Sequence, residues 1–202
     1  MSDFTYEKKD LKQKFEYIEW DNTWVENSND TTKKRVLYVG DSISCGSRQI
    51  ATKLSNGEIL FDGFGTSKAV DNPFFKESLV AFSHQEGRRD VVLFNNGLHG
   101  WHLDDETEYP FYYEDLVKFM LDEFKGTPLY VVLTTSVKDE EREKRVIKRN
   151  EKALQIAKKY NLGVIDLYKV SLENKNLICS DGVHFEEEGR EIFAQTLVDY
   201  LK

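Results

Sequence analysis

Residues 34–47 read KRVLYVGDSISCGS, an apolar run that stops abruptly at Gly40, Asp41 and Ser42. The four residues 36–39 (VLYV) are typical of a buried strand in an α/β sheet. Such a strand delivers the residues that follow it to the edge of the sheet where ligands bind. The pattern therefore places Ser42 where a nucleophile could act.

Ser42 needs partners elsewhere in the chain, because an unassisted hydroxyl is a poor nucleophile. A base must accept its proton, and an acceptor must hold that base in one tautomer. Asp181-Gly182-Val183-His184 offers both on one turn, with His184 as the base and Asp181 as the orienting group. We predict a catalytic triad of Ser42, His184 and Asp181. The alternative is that Ser42 caps a helix and the other two lie in an ordinary surface loop.

The composition indicates a single acidic globular domain. The chain has 202 residues, of which 40% are apolar and 13% aromatic, enough for a substantial core. Its net charge of −8 argues against nucleic acids and anionic membranes as partners. The charged start is unlike a signal peptide, no apolar run approaches a membrane span, and Cys45 and Cys179 are the only cysteines. We expect a cytoplasmic protein that acts on a small molecule.

Strand and helix patterns alternate along the chain. Five strands are predicted, at residues 36–39, 58–61, 90–95, 129–133 and 161–167, and five helices, at 47–54, 72–83, 111–124, 138–160 and 186–201. Five β–α units with short links predict an α/β fold, a flavodoxin-like doubly wound five-stranded parallel sheet with helices on both faces. Residues 1–33 are predicted to form an N-terminal extension packed on a catalytic domain of residues 34–202.

Two motifs at opposite ends of this pattern resemble the SGNH hydrolase family, also called the GDSL family of esterases and lipases. Gly40-Asp41-Ser42-Ile43 is similar to the family's first block, and residues 181–184 are similar to its last block, DxxH. The resemblance covers residues 34–202 and is strongest to small carbohydrate-esterase and acylesterase members. It implies the SGNH hydrolase fold, a triad of the three residues named above, ester hydrolysis and no cofactor.

The resemblance also implies three donors for the oxyanion of a tetrahedral intermediate: the Ser42 amide, a glycine amide after the second strand and an asparagine after the third. For the glycine we favour Gly65, with Gly63 as the alternative. After the third predicted strand the family's Gly-x-Asn-Asp is replaced by NNGLHGWH, residues 95–102. Aligned on the glycine, His99 takes the place of the asparagine, whereas a shift to the strand end selects Asn96. Both remain candidates, with Asn96 slightly favoured.

His99, His102, Asp104 and Asp105 also suggest a metal site, but their spacing matches no specific metal-binding signature. We expect these histidines to line the pocket and hydrolysis to proceed without a metal. Trp20, Trp24 and Trp101 could stack on a sugar ring, although packing is the default for each.

Three functions are compared. A serine esterase acting on short acyl esters, above all acetyl groups on carbohydrates, is favoured. An acyltransferase would use the same triad with an acceptor alcohol in place of water. A non-catalytic flavodoxin-like binding module is disfavoured, since GDSIS is not a glycine-rich phosphate cradle and a binder has no need of Asp181 and His184.

Overall fold

The computed structural model describes residues 15–202, so the predicted packing of residues 1–14 lies outside the described part. The elements are β1 (Asp21–Trp24), β2 (Lys34–Gly40), α1 (Ser42–Leu54), β3 (Ile59–Thr66), α2 (Phe75–Glu86), β4 (Val91–Phe94), α3 (Glu108–Glu123), β5 (Leu129–Val132), α4 (Glu140–Lys159), β6 (Gly163–Ile165), α5 (Leu167–Glu173) and α6 (Glu187–Leu201), with a 3₁₀ turn at Lys175–Leu177. Among these residues no helix is both long and apolar enough to cross a membrane.

The sheet has six strands in the order β1-β3-β2-β4-β5-β6. All neighbouring pairs are parallel except β1 with β3, which is antiparallel. The five parallel strands have the flavodoxin-like order, which confirms the predicted fold class. The chain runs from β2 outward to β3 and then returns to β4 on the other side of β2. The carboxyl end of β2 is therefore the switch point of the sheet, where ligands bind in such folds.

Helices cover both faces of the sheet because the buried strands are apolar on both sides. In β2, Val36 and Tyr38 point into one core cluster, and Leu37 and Val39 into the other. Helices α1 and α6 pack on the first face, while α2 and α3 pack on the second. This two-sided burial fixes β2 at the centre of the domain and with it the position of the residues that follow it.

The sixth strand, β1, was not predicted from the sequence. Its four residues (DNTW) are all exposed and show no alternation of apolar and polar side chains. It forms because β3 offers a free edge, along which Asp21 pairs with Thr66 and Trp24 with Gly63. The Lys68 ammonium, 2.7 Å from the Asp21 carboxylate, anchors the start of this strand. The sheet therefore extends across the domain boundary predicted at residue 33.

Candidate active site

Ser42 lies directly after β2, at the switch point of the sheet, as the first residue of α1. Asp41 rather than Ser42 caps this helix, since its Oδ1 accepts from the Ile43 amide at 2.9 Å. The amides of a helix's first turn have no partner within the helix, and the positive end of the helix dipole lies there. The Ser42 amide is thus available to bind negative charge beside its own hydroxyl.

His184 and Asp181 are brought to Ser42 by the loop before α6. His184 Nε2 lies 2.7 Å from Ser42 Oγ, and His184 Nδ1 lies 2.7 Å from Asp181 Oδ2. With the proton on Nδ1, that nitrogen donates to Asp181, and Nε2 accepts from the serine hydroxyl. The three predicted residues therefore form one continuous chain of hydrogen bonds, although 142 positions separate Ser42 from His184.

The turn that carries His184 is rigid for local reasons. Asp181 Oδ1 accepts from the amides of Val183 and His184, both at 2.9 Å, which closes the turn. Gly182 adopts φ = 79°, a left-handed conformation that favours glycine. The next residue, Phe185, is buried and packs edge-on against Phe193 of α6, with ring centroids 4.7 Å apart. The base is thereby anchored to the core although its ring is half-exposed.

Two carboxyl groups of the site, those of Asp181 and Asp41, differ in burial and have pKa values shifted in opposite directions. The pKa of Asp181 is lowered to about 2, first by the Val183 amide and then by His184. Asp41 is fully buried beneath the nucleophile, and desolvation raises its pKa, while His99 and His184 act in the opposite direction. Asp181 is therefore ionised at neutral pH, as the orienting group must be.

A cavity of about 300 Å³ opens beside Ser42 and His184. Ile43, Gly46 and Phe185 contribute to its walls. Its volume is at the lower end of the range for small-molecule sites.

Solved structures with this arrangement of strands and helices belong to lipases and esterases. A lipase/acylhydrolase from Enterococcus faecalis has a TM-score of 0.67 and 16% identity, over 83% of this chain and 95% of that one. A member of the lipolytic G-D-S-L family from Veillonella parvula has a TM-score of 0.63 and 18% identity, over 82% and 97%. This chain has the SGNH hydrolase fold. The resemblance in the two motifs is thus confirmed at the level of the fold.

An acetylxylan esterase from Geobacillus stearothermophilus shares the SGNH hydrolase fold with a TM-score of 0.61 and 14% identity, over 82% of this chain and 93% of that one. No protein-family model matches the chain, and no curated protein is significantly similar to it in sequence. The likeness therefore concerns the backbone, and the roles of individual residues must be argued from their geometry.

Gly65 lies inside β3, not in a loop after it as the SGNH resemblance had suggested. It is paired on both sides, with Gly40 of β2 and Asn22 of β1, so the ladders of the sheet compete for its amide. A Cβ atom at Gly65 would fall 2.2 Å from Cys45 Sγ, and one at Gly63 would fall 2.1 Å from the Arg48 guanidinium. Both glycines thus have a packing role against α1, and the oxyanion role of Gly65 stays a prediction.

Asn96, the slightly favoured third donor, is deeply buried at 1% exposure. Its Nδ2 donates to the Lys68 carbonyl at 2.8 Å, and its own carbonyl accepts from the Tyr109 hydroxyl at 2.6 Å. These contacts tie the loop after β4 to the segment after β3 and to α3. Asn96 is therefore engaged in holding the two loops together and points its amide away from open space.

His99, the alternative donor in the SGNH alignment, is partly open to solvent, with 18% of its side chain exposed. Its ring meets Trp20 edge-on at 6.5 Å between centroids, and its Nδ1 lies 3.7 Å from Glu16 Oε1. Glu16 was missed by sequence reasoning, because nothing in its neighbourhood along the chain marks it. Only the folded chain brings it to the loop of His99.

The remaining members of the suggested metal site do not converge. His102 Nε2 lies 2.8 Å from Asp71, Asp105 pairs with Arg145 and Arg149, and Asp104 accepts from amides of its own turn. Within residues 15–202 no group of three or more histidine, cysteine or carboxylate side chains is arranged to hold a metal ion. The hydrogen bonds and ion pairs of these side chains instead stabilise the loop between β4 and α3.

Proposed function

We propose that the protein is a serine esterase that hydrolyses short acyl esters through Ser42, His184 and Asp181. The observation that carries this proposal is the hydrogen-bonded chain of these three side chains, with both links at 2.7 Å, at the switch point of the sheet. A serine, an imidazole and an ionised carboxylate in this order make a hydroxyl nucleophilic.

The reaction follows in two balanced steps. Ser42 Oγ attacks the ester carbonyl carbon while its proton passes to His184 Nε2, and the charge on the carbonyl oxygen is held by the Ser42 amide and further donors. The C–O bond to the alcohol then breaks, and His184 gives its proton to the departing oxygen. Water next loses a proton to His184 and attacks the acyl carbon. The bond from that carbon to Ser42 Oγ then breaks, His184 returns the proton to Oγ, and the acid leaves.

For the third oxyanion donor we favour His99 over Asn96. One of the two N–H groups of the Asn96 amide is used by the Lys68 carbonyl, and the side chain is closed off from solvent. His99 is partly accessible and acts electrostatically on Asp41, the residue beside the nucleophile. Its imidazole can therefore donate to an oxyanion where the family uses an amide.

The substrate that we propose is an acetyl ester of a carbohydrate. The cavity of about 300 Å³ beside Ser42 supports a small substrate. Trp20, half-buried next to His99, offers an aromatic surface for a sugar ring. The acetylxylan esterase with the same fold supports this choice by analogy.

The triad is tested with p-nitrophenyl acetate and a fluorophosphonate probe. The wild type should turn over the ester and be labelled, whereas Ser42→Ala should lose both and His184→Ala nearly all of both. His84→Ala, an exposed histidine of α2, is the matched control and should behave as wild type. Equal labelling of wild type and Ser42→Ala would exclude Ser42 as the nucleophile.

The acyl preference is tested with p-nitrophenyl acetate, butyrate and octanoate, followed by acetylated xylose and N-acetyl sugars. We expect kcat/KM to be highest for acetate and to fall with chain length, and acetate to be released from O-acetyl sugars. A preference for octanoate would contradict the short-acyl proposal while leaving the triad in place.

A further inference from the structure

The segment before β1 runs across the edge of the sheet at which Ser42 lies. Since β1 is antiparallel to β3 and begins opposite its last residue, residues 15–20 continue beyond the carboxyl ends of the parallel strands. Glu19 holds the segment there, because its carboxylate accepts from Ser67 Oγ and Asn72 Nδ2, both at 3.1 Å. The segment is therefore part of the surroundings of the active site.

Glu16 reaches from this segment to the loop after β4. Its Oε1 accepts from the Gly100 amide at 2.7 Å and lies 3.7 Å from His99 Nδ1. The contact with His99 is the largest of the influences that lower the pKa of Glu16. The His99 imidazole therefore has the Glu16 carboxylate beside its Nδ1 and the Trp20 ring edge-on to it.

The backbone of the same loop is fixed by a different residue. Arg149 of α4 is fully buried and donates to the carbonyls of Gly97, His99 and Gly100 at 3.0, 2.6 and 2.7 Å. The loop backbone is therefore held by Arg149 through three carbonyls and by Glu16 only through the Gly100 amide. What Glu16 adds is a negative charge directed at one nitrogen of His99.

We propose that Glu16 is a positioning residue of the active site, whose carboxylate beside the His99 ring orients the imidazole toward the oxyanion formed at Ser42. The N-terminal extension is thus a working part of the catalytic site. This inference rests on the esterase function proposed above.

A double-mutant cycle between Glu16 and His99 tests the inference. Glu16→Gln removes the charge but keeps an oxygen that can accept from Gly100. It should lower kcat on p-nitrophenyl acetate roughly 10- to 100-fold, with KM changed less than about twofold. His99→Ala should lower kcat on the order of 10²- to 10³-fold, as loss of one oxyanion donor does. In the His99→Ala background, Glu16→Gln should have no further effect.

Glu114→Gln is the matched control, since Glu114 has a similar side-chain exposure, 21%, but pairs with Lys159 and Tyr160 instead of a histidine. Any effect that it has should be equal in the wild-type and His99→Ala backgrounds. An unchanged kcat in Glu16→Gln, or equal losses in both backgrounds, would overturn the inference, as would a fall of His99→Ala to the level of Ser42→Ala. Ser42→Ala separates the two proposals: if it stays active the esterase function fails, whereas an inactive Ser42→Ala with an additive cycle rejects only the role of Glu16.

Discussion

Two histidine–carboxylate pairs lie at the same edge of the sheet, and they are built in opposite ways. Asp181 and His184 are three residues apart on one turn and expose about half of each side chain, 50% and 48%. Glu16 and His99 come from distant parts of the chain and expose 24% and 18%. The first pair is formed within one turn of the chain, and packing of that turn places it beside Ser42. The second pair forms only because β1 directs the N-terminal extension across the site.

The largest effect is expected from a substitution in the pair of Asp181 and His184. Asp181→Asn keeps the shape of the turn but removes the charge that holds the His184 tautomer, so kcat should fall on the order of 10³- to 10⁴-fold with KM little changed. The measurement is steady-state hydrolysis of p-nitrophenyl acetate.

Asp104→Asn is the control for this substitution, because Asp104 accepts from two amides of its turn as Asp181 does, but faces no histidine of the site. It should retain activity close to that of the wild type. A loss of less than about tenfold in Asp181→Asn would show that His184 is oriented by its surroundings and not by this charge.

The difference between the two pairs also explains what could be predicted from the sequence. Ser42 and the turn of Asp181 and His184 depend on an apolar strand, a strand end and a spacing of three residues, all of which are visible along the chain. The order of the parallel strands followed from the alternation of elements. Glu16 could not be predicted, since its role depends on a pairing of β1 with β3 that four exposed residues do not signal.

Strand β3 shows a second limit of sequence reasoning. The prediction ended this strand at residue 61, yet the strand continues to Thr66. The glycines are required there because Arg48 and Cys45 of α1 press against the sheet at Gly63 and Gly65. A glycine that makes room for a neighbouring helix and one that forms a turn look alike in a single sequence.

A substitution of Arg149 tests whether the loop that carries His99 depends on a buried charge for its stability. Arg149→Met should lower the free energy of unfolding by about 3–5 kcal/mol, because it leaves three loop carbonyls without their buried donor and removes one of the two arginines that pair with Asp105. Urea denaturation measures this loss. Arg142→Met, at an exposed arginine that also covers Trp101, should cost less than about 1 kcal/mol. Equal losses of stability in the two variants would mean that the contacts with Trp101, and not the hydrogen bonds of Arg149, stabilise the loop.

Gly65→Ala separates the packing role of that glycine from its predicted oxyanion role. The added methyl meets Cys45 Sγ, so the substitution should destabilise the fold by about 1–3 kcal/mol, and Cys45→Ala in the same chain should restore much of this. Stability is read from urea denaturation and kcat from ester hydrolysis. If Cys45→Ala restores stability while kcat stays low, the Gly65 amide also serves the oxyanion; if kcat returns as well, Gly65 only provides space.

The smallest expected effect concerns pH and salt. The pKa of Asp181, about 2, and that of Glu16 both lie below their ordinary values, 3.8 and 4.5. Each ionised carboxylate therefore stabilises the fold above about pH 4–5, and this contribution is lost as pH falls, for Asp181 between about pH 4 and 2. Asp181→Asn and Glu16→Gln should each reduce the change in urea midpoint between pH 5 and pH 3.

Salt should then distinguish the pairs, since exposed charges are screened more than partly buried ones. In 1 M NaCl, Asp181→Asn should have a smaller effect on the change in urea midpoint between pH 5 and pH 3 than it has without salt. The effect of Glu16→Gln should largely persist, because the side chains of Glu16 and His99 are less exposed. Equal screening of both would mean that the second pair is as open to solvent as the first. Glu16 would then contact His99 without being enclosed with it, and its charge would have little influence on the orientation of the imidazole ring.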